Sequence, residues 1–294
     1  MSRQLVESLA GLDPHDLKDL VRELTPAARL ELVRRVQDVT GFPDPLGHLS
    51  WEEWLREMVP DAIRSGFAPH HIEAWEWVWN IRQGVRDPGF IAAWARGQAK
   101  SPLGELACAR FAAARRRRFG LYVASTQAKA DEHVMNVAAV LESKTFERHY
   151  PSAASRRVGK YGQSKGWKRT QLNTTSGYTL ASIGLDASRR GAKIGNYRPD
   201  HLILDDVDDT HDTPETTKKK LATLTRDLFP ALDSKSGTVI MLQNLINPGG
   251  IQDQLMNGGL DILQTAHRSG PFPAIEGLDT SVVDGHRKII AGTP

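Results

Sequence analysis

Residues 90–101 read FIAAWARGQAKS, and the fold turns on them. Phe90 to Trp94 is a short apolar run of strand length, and Leu103 to Arg117 is a helical stretch rich in alanine. Between them lies Ala95-Arg96-Gly97-Gln98-Ala99-Lys100-Ser101. A phosphate-binding loop needs this context, because backbone N–H groups at the turn and the dipole of the following helix hold phosphate oxygens. ATP would then lie against Arg96, Gly97, Gln98, Ala99, Lys100 and Ser101, with Lys100 on the β and γ phosphates and the Ser101 hydroxyl on Mg2+. Pro102 is tolerated, since the first helical turn has no partner for its missing N–H. Trp94 and Ala99 occupy the two glycine positions of G-x-x-x-x-G-K-[ST]. The competing reading is an ordinary strand-to-helix turn with a solvated lysine.

About 100 residues downstream, Arg198-Pro199-Asp200-His201-Leu202-Ile203-Leu204-Asp205-Asp206 is an apolar strand ending in two carboxylates. Carboxylates at the C-terminal end of a parallel strand face the same crevice as such a loop. Asp205 is placed to hold Mg2+, and Asp206 to orient or deprotonate the attacking water. The alternative is that Asp205, Asp206, Asp208, Asp209 and Asp212 are helix-capping and loop acids. A third buried strand, Thr238 to Leu242, runs into Gln243 and Asn244. One of these amides would sense the γ-phosphate or the lytic water; an Asn ending a strand is also a common turn.

Around these motifs strands and helices alternate: strands at Leu121–Ala124 and His201–Leu204, helices at His71–Arg82 and Gln127–Leu141, and a helix opened by Thr213-Pro214 with Leu221, Leu224 and Leu228 on one face. Trp167–Asn173 and Tyr178–Leu185 read as two strands joined by a Ser-Gly turn. Short apolar strands between helices predict a mostly parallel sheet covered on both faces. The first 65 or so residues read as helices, with Leu17, Leu20, Val21 and Leu24, then Leu30, Val33 and Val36, at helical spacing. Ser50-Trp51-Glu52-Glu53 is a capping box. The loop Gly41 to Gly47 marks the boundary of this helical part. The last 25 residues have many Gly, Pro and Asp and no clear period, and the ending suggests a truncated chain.

The 294 residues allow about two domains. Hydrophobic residues make up 40% and charged residues 25%, which excludes a disordered or collagen-like chain. No apolar run reaches the ~20 residues that span a bilayer. The start lacks a signal-type apolar core. One cysteine, Cys108, excludes an internal disulfide and a Cys-rich zinc site, and points to a reducing cytosol. It reads as inert core. The net charge of +3 permits nucleic-acid binding without demanding it. Arg115–Arg118 close a helix, where positive charge is favourable on dipole grounds, so a structural or solvated role precedes DNA contact. Residues 156–169 interleave Lys160, Lys165, Lys168 and Arg169 with Tyr161 and Trp167, a pattern that suits DNA phosphates and stacked bases as well as a basic loop. Trp75, Trp77 and Trp79 cannot share one helix face, so at least one should meet the N-terminal part. His70 and His71 read as packing groups, with no Cys or acid at metal-ligand spacing.

Together ARGQAKS, IGLDASRRGAKIGNYRPDHLILDDVDD (183–209) and GTVIMLQN (237–244) resemble the ATPase domain of the large terminase subunit of tailed bacteriophages. The resemblance spans residues 70 to 270 or so. In that family a loop of type R-G-x-x-K-S replaces the standard phosphate loop, which accounts for Ala99. The resemblance implies an α/β fold of the P-loop (RecA/ASCE-like) type: a mostly parallel sheet flanked by helices, with a helical N-terminal extension over 1–66 and the ATPase domain over 67–294. It implies an ATP- and Mg2+-dependent motor in the host cell cytoplasm. Such a motor forms a homo-oligomeric ring on a viral portal protein, is monomeric in isolation, works with a small terminase subunit, and pumps double-stranded DNA into a procapsid. Arg190, of the pair Arg190-Gly191, maps onto the arginine proposed to complete a neighbouring subunit's site, with Arg96 as rival. The helix around His70, His71 and Trp75 corresponds to the region that packs on adenine. The second acid is Asp206 where the family has Glu. The family's RNase H-like nuclease half should begin near residue 294, and no second acidic strand follows Asn244, so no nuclease activity is expected. Other classes remain: a helicase-like ATPase outside packaging, a metal-dependent nuclease on Asp205, Asp206, Asp208 and His211, and a non-catalytic DNA-binding module using Arg156 to Arg169.

Overall fold

The computed structural model describes residues 44–63, 66–158, 166–186 and 198–273, together with the backbone of 276–283 and 286–293. The helices expected before residue 41 lie outside the described residues, as do Arg190, Lys160 and Lys165.

Helix α1 (Trp51–Met58) opens with the expected capping box. Ser50 Oγ accepts from the Glu53 amide at 3.2 Å, and Glu53 Oε2 accepts from the Ser50 amide at 2.8 Å. Helix α2 (Pro69–Trp79) leads to strand β1 (Phe90–Trp94), and helix α3 (Lys100–Ala113) follows the loop. Then come β2 (Phe119–Ala124), α4 (Gln127–Leu141), and the short α5 (Lys144–His149) and α6 (Pro151–Ala154). Strands β3 (Gln171–Asn173), β4 (Thr179–Gly184) and β5 (His201–Asp205) precede α7 (Pro214–Thr223). A π-helical turn at Leu224–Leu228 and the short α8 (Phe229–Ala231) extend α7. The chain continues through β6 (Thr238–Gln243), α9 (Ile251–Met256) and β7 (His267–Phe272) to a hairpin of β8 (Glu276–Val283) and β9 (His286–Thr293).

Seven strands form one sheet in the order β3-β4-β2-β5-β6-β1-β7. All neighbours run parallel except the edge pair β3–β4. Successive side chains on a strand point to opposite faces. Phe90, Ala92, Trp94, Tyr122, Ile203, Ile240 and Leu242 therefore meet α1 through α6 on one side. Ile91, Leu121, Val123, Leu202, Leu204, Val239 and Met241 meet the π-helical turn and α9 on the other. This is the expected α/β architecture, a mostly parallel sheet flanked by helices, with β6 inserted between the strand that enters the loop and the strand that ends in the two acids.

The segment before β1 shares this core. Trp54 lies 6.1 Å from the Trp79 ring, the contact with the N-terminal part that one of the three tryptophans had to make. Arg110 on α3 pairs with Asp44 and stacks 3.8 Å from the Trp79 ring centroid. Trp77 turns instead towards Phe90.

Three expectations shift. Helix α3 starts at Lys100 rather than Leu103 and ends at Ala113 rather than Arg117, because Arg115 adopts a left-handed φ of 53° that stops it. Within the arginine block, Arg117 is buried: it donates to the carbonyls of Arg82 (2.7 Å) and Val85 (3.0 Å) and to Asp87 and Thr238, both at 2.5 Å. The C-terminal residues without a clear period form β7, β8 and β9. Gly270 and Pro271 hide the strand signal of β7, and they are tolerated because β7 is an edge strand, where a missing N–H costs no ladder bond.

Candidate nucleotide site

Parallel strands with their loops at one end converge on a single edge. Ala93 of β1 stands in register with Gln243 of β6, and Leu242 of β6 with Asp205 of β5. The loop after β1, the two acids after β5 and the amide ending β6 thus lie side by side.

The loop is shaped by its own residues. Gln98 Oε1 accepts from the Ala95 amide at 2.9 Å, and the Gln98 carbonyl lies 3.2 Å from His71 Nε2 on α2. Gly97 and Ala99 both take left-handed backbone angles, with φ of 82° and 52°. That conformation costs a residue with a Cβ roughly 1–2 kcal/mol, which is why glycine is the ordinary occupant of the Ala99 position. Trp94 is accommodated because its side chain points into the core, where Nε1 donates to Ser269 Oγ at 3.1 Å. Lys100 and Ser101 begin α3, so their amides belong to the unpartnered first turn. Lys100 is buried and its ammonium folds back onto the Ala95 carbonyl at 2.8 Å. Burial lowers its pKa, while the charges of Asp206 and Asp205 oppose that shift and exposed Arg96 adds to it.

Asp205 is fully buried, and burial pushes its carboxyl up to about 6. The nearby His133 charge opposes that rise, the Asp206 charge adds to it, and the hydroxyls of Ser101 and Tyr122 oppose it. Tyr122 donates to Asp205 Oδ2 at 2.9 Å. Asp205 Oδ1 and Asp206 Oδ1 are buried and lack a hydrogen-bond partner. Asp206 also has a positive φ, 44°, and its backbone ties three strands: its amide donates to the Leu242 carbonyl and its carbonyl accepts from the Ser125 amide. Two orphaned hard oxygens next to a serine hydroxyl fit Mg2+, which takes one or two carboxylates and completes its shell with water and phosphate.

Gln243 is buried, accepts from the Asp208 amide at 3.0 Å, and lies 3.4 Å from Asn244 Oδ1. Asp208 is not drawn into the same cluster. Its two oxygens accept the amides of Ile251 and Gln252, each at 2.9 Å, at the start of α9. Asp209 turns to the His211 amide, and Asp212 to Lys220. Among the described residues no group of three His, Cys, Asp or Glu is arranged to hold a metal. Of the four residues in the nuclease alternative, Asp208 is taken up in capping α9, whereas Asp205 and Asp206 keep their unpartnered oxygens.

Lys168 and Arg169 are exposed near β3, with Arg169 Nε 3.8 Å from Asp131. His70 stacks on Phe272 and meets the Trp94 ring edge-on beside the loop. Reading the sequence missed Tyr122 and His133, which lie against Asp205, and Glu105, which holds His133. A tyrosine, a glutamate and a histidine on three separate elements carry no local motif. The one available signal was Tyr122 as a polar residue inside an otherwise apolar strand.

By its fold the chain is an α/β protein, a mostly parallel sheet flanked by helices with the candidate residues gathered at one sheet edge. It is similar to the solved large terminase ATPase domain of Thermus phage P74-26, with 17% identity and a TM-score of 0.41 over 67% of this chain and 70% of that one. It is similar also to a mutant of the same domain, with 16% identity and a TM-score of 0.40 over 67% and 71%. No protein-family model matches the chain, and no curated protein does. No helix among the described residues is long and apolar enough to cross a membrane.

Proposed function

We propose that this chain is the ATPase motor domain of a viral terminase large subunit, hydrolysing ATP to ADP and phosphate to drive double-stranded DNA into a procapsid. The observation that carries the hydrolase part is the meeting, at one sheet edge, of a Lys-Ser loop at a helix start with two buried carboxylates that each keep an unpartnered oxygen. The motor part rests on the sequence stretches that resemble terminases.

In this reading the amides of Gly97, Gln98, Ala99 and Lys100 receive the phosphates, and Arg96 lies at their rim. Lys100 leaves the Ala95 carbonyl for the β and γ phosphates, exchanging a neutral acceptor for a charged one. Ser101 and Asp205 are the residues that would hold Mg2+, which supplies neutralisation of phosphate charge. Asp206 orients the attacking water and accepts its proton. Gln243, bonded to the Asp208 amide, links the phosphate edge to the start of α9, and it or Asn244 couples hydrolysis to movement. Arg190 of a neighbouring copy completes the site, so an isolated monomer hydrolyses slowly and a ring on the portal protein hydrolyses fast. DNA runs against Lys160, Lys165, Lys168 and Arg169, and the small terminase subunit delivers it.

The test is equilibrium binding of Mg-ATP to the chain and to Lys100→Ala. Binding by the wild type and its loss in the variant are expected. No binding by either, or equal binding by both, would sink the phosphate-loop reading.

A further inference from the structure

We propose that Tyr122 is a positioning residue for Asp205: it occupies one carboxylate oxygen and so leaves the other as the single free ligand for a divalent cation. This deepens the nucleotide-site reading and rests on it.

Tyr122 and His133 crowd the same oxygen of the Asp205 carboxylate. The Tyr122 hydroxyl donates to Oδ2 at 2.9 Å, and His133 Nε2 lies 3.6 Å from that same Oδ2. Oδ1 is buried and unpartnered. A carboxylate with this asymmetry cannot turn to chelate through both oxygens without breaking the tyrosine bond. It presents one oxygen in one direction, which suits a small cation that demands near-octahedral geometry.

The tyrosine is itself fixed from several sides. It is fully buried on β2, in register with Ile203 two residues before Asp205. The His133 ring stacks on it at 4.7 Å and 22°. His133 Nδ1 lies 2.8 Å from Glu105 Oε1, which also accepts from Asn136 at 2.8 Å. Above the hydroxyl, α3 approaches so closely at Gly104 that a Cβ there would stand 2.8 Å from the tyrosine oxygen and 2.7 Å from Leu242. The hydroxyl therefore has no other place to point. Outer partners that fix a metal-binding carboxylate typically change metal affinity 10–100-fold when removed, by about that order here as well.

The experiment compares wild type, Tyr122→Phe and Lys100→Ala as full chains. Binding of ATP is measured by calorimetry without metal and with Mg2+, and Mn2+ binding is measured by electron paramagnetic resonance. Tyr122→Phe is expected to bind metal-free ATP as wild type does, and to lose about 10–100-fold in the affinity gained on adding Mg2+ and in Mn2+ affinity. An unchanged metal increment overturns the proposal, and so does equal weakening with and without metal, the mark of a general structural role. If wild type binds no ATP, the nucleotide reading fails separately and the Mn2+ titration decides: no Mn2+ site, or one indifferent to Tyr122→Phe, overturns the proposal. If Tyr122→Phe does not fold, Glu105→Gln, which loosens the His133 buttress but keeps the hydroxyl, takes its place. A smaller loss in the same metal increment supports the assignment, and no change overturns it.

Discussion

Ala99 and Asp206 share one backbone peculiarity: both have positive φ, 52° and 44°, at the ends of the loop after β1 and of strand β5. Left-handed conformations in residues with a Cβ cost roughly 1–3 kcal/mol and gather at functional sites. Ala99→Val is expected to lower unfolding free energy by about 1–3 kcal/mol, because a β-branched side chain suits this region worst. Ala99→Gly should change it by less than about 1 kcal/mol, as relief of strain offsets a floppier unfolded chain. Urea midpoints of the three proteins check both signs.

Asp206→Asn separates chemistry from folding. Asparagine tolerates the left-handed region, so the variant should unfold at the wild-type midpoint. Mg-ATP binding should persist while steady-state turnover falls by about 10²–10⁴-fold, the usual loss of a general base. Turnover near wild type would remove Asp206 from the proposed mechanism.

Arg117 carries the structural weight of the arginine block. Its removal strands Asp87, Thr238 and two carbonyls around a fully buried guanidinium site. Arg117→Ala should cost about 3–5 kcal/mol, the price of breaking a buried pair. Arg118→Ala, at an exposed side chain, should stay within about 0.5 kcal/mol of wild type. Equal effects at both positions would contradict the burial of Arg117.

His70 makes the fold acid-sensitive. Burial and the neighbouring His71 charge hold its imidazole down to about 4, against the opposing pull of Glu73. The unfolded chain takes up the proton near 6.5, whereas the folded chain refuses it until about 4. Stability is therefore full above 6.5 and declines as pH falls through that window. His70→Phe keeps a ring against Phe272 and should flatten the decline. Urea midpoints at neutral pH and near pH 5 measure the difference in slope.

Cys108 should resist thiol reagents. It is fully buried on α3, and burial pushes its thiol up to about 12. Little thiolate exists at pH 8, and none is accessible. Labelling by a disulfide reagent should follow global unfolding, with its half-time shortening in urea. Rapid labelling of the native chain would place Cys108 elsewhere.

Much of this architecture was legible from local signals. The bounds of β1 and α4 follow from apolar run length, and for α4 from Thr126, whose side chain accepts from the Lys129 amide. The loop, the acidic strand and the amide strand were readable because each couples a strand pattern to a chemical ending. Arg117 was not, since four adjacent arginines look alike until one is folded under Thr238. Tyr122, His133 and Glu105 were not, since a neighbouring strand and two separate helices bring them together around one side of Asp205. Strand β7 was missed because an edge strand tolerates Gly270 and Pro271, which erase alternation.

The sheet order carries a consequence for synthesis. Both neighbours of β1, β6 and β7, lie far downstream: Phe90 pairs with Ile240 and with His267. At roughly 5–20 residues per second, a ribosome takes on the order of 10–30 s to make the intervening chain. Through that interval FIAAW and the phosphate loop behind it have no strand to join. A growing chain must shield this apolar segment, by its own helices or by a chaperone, before the nucleotide edge exists at all.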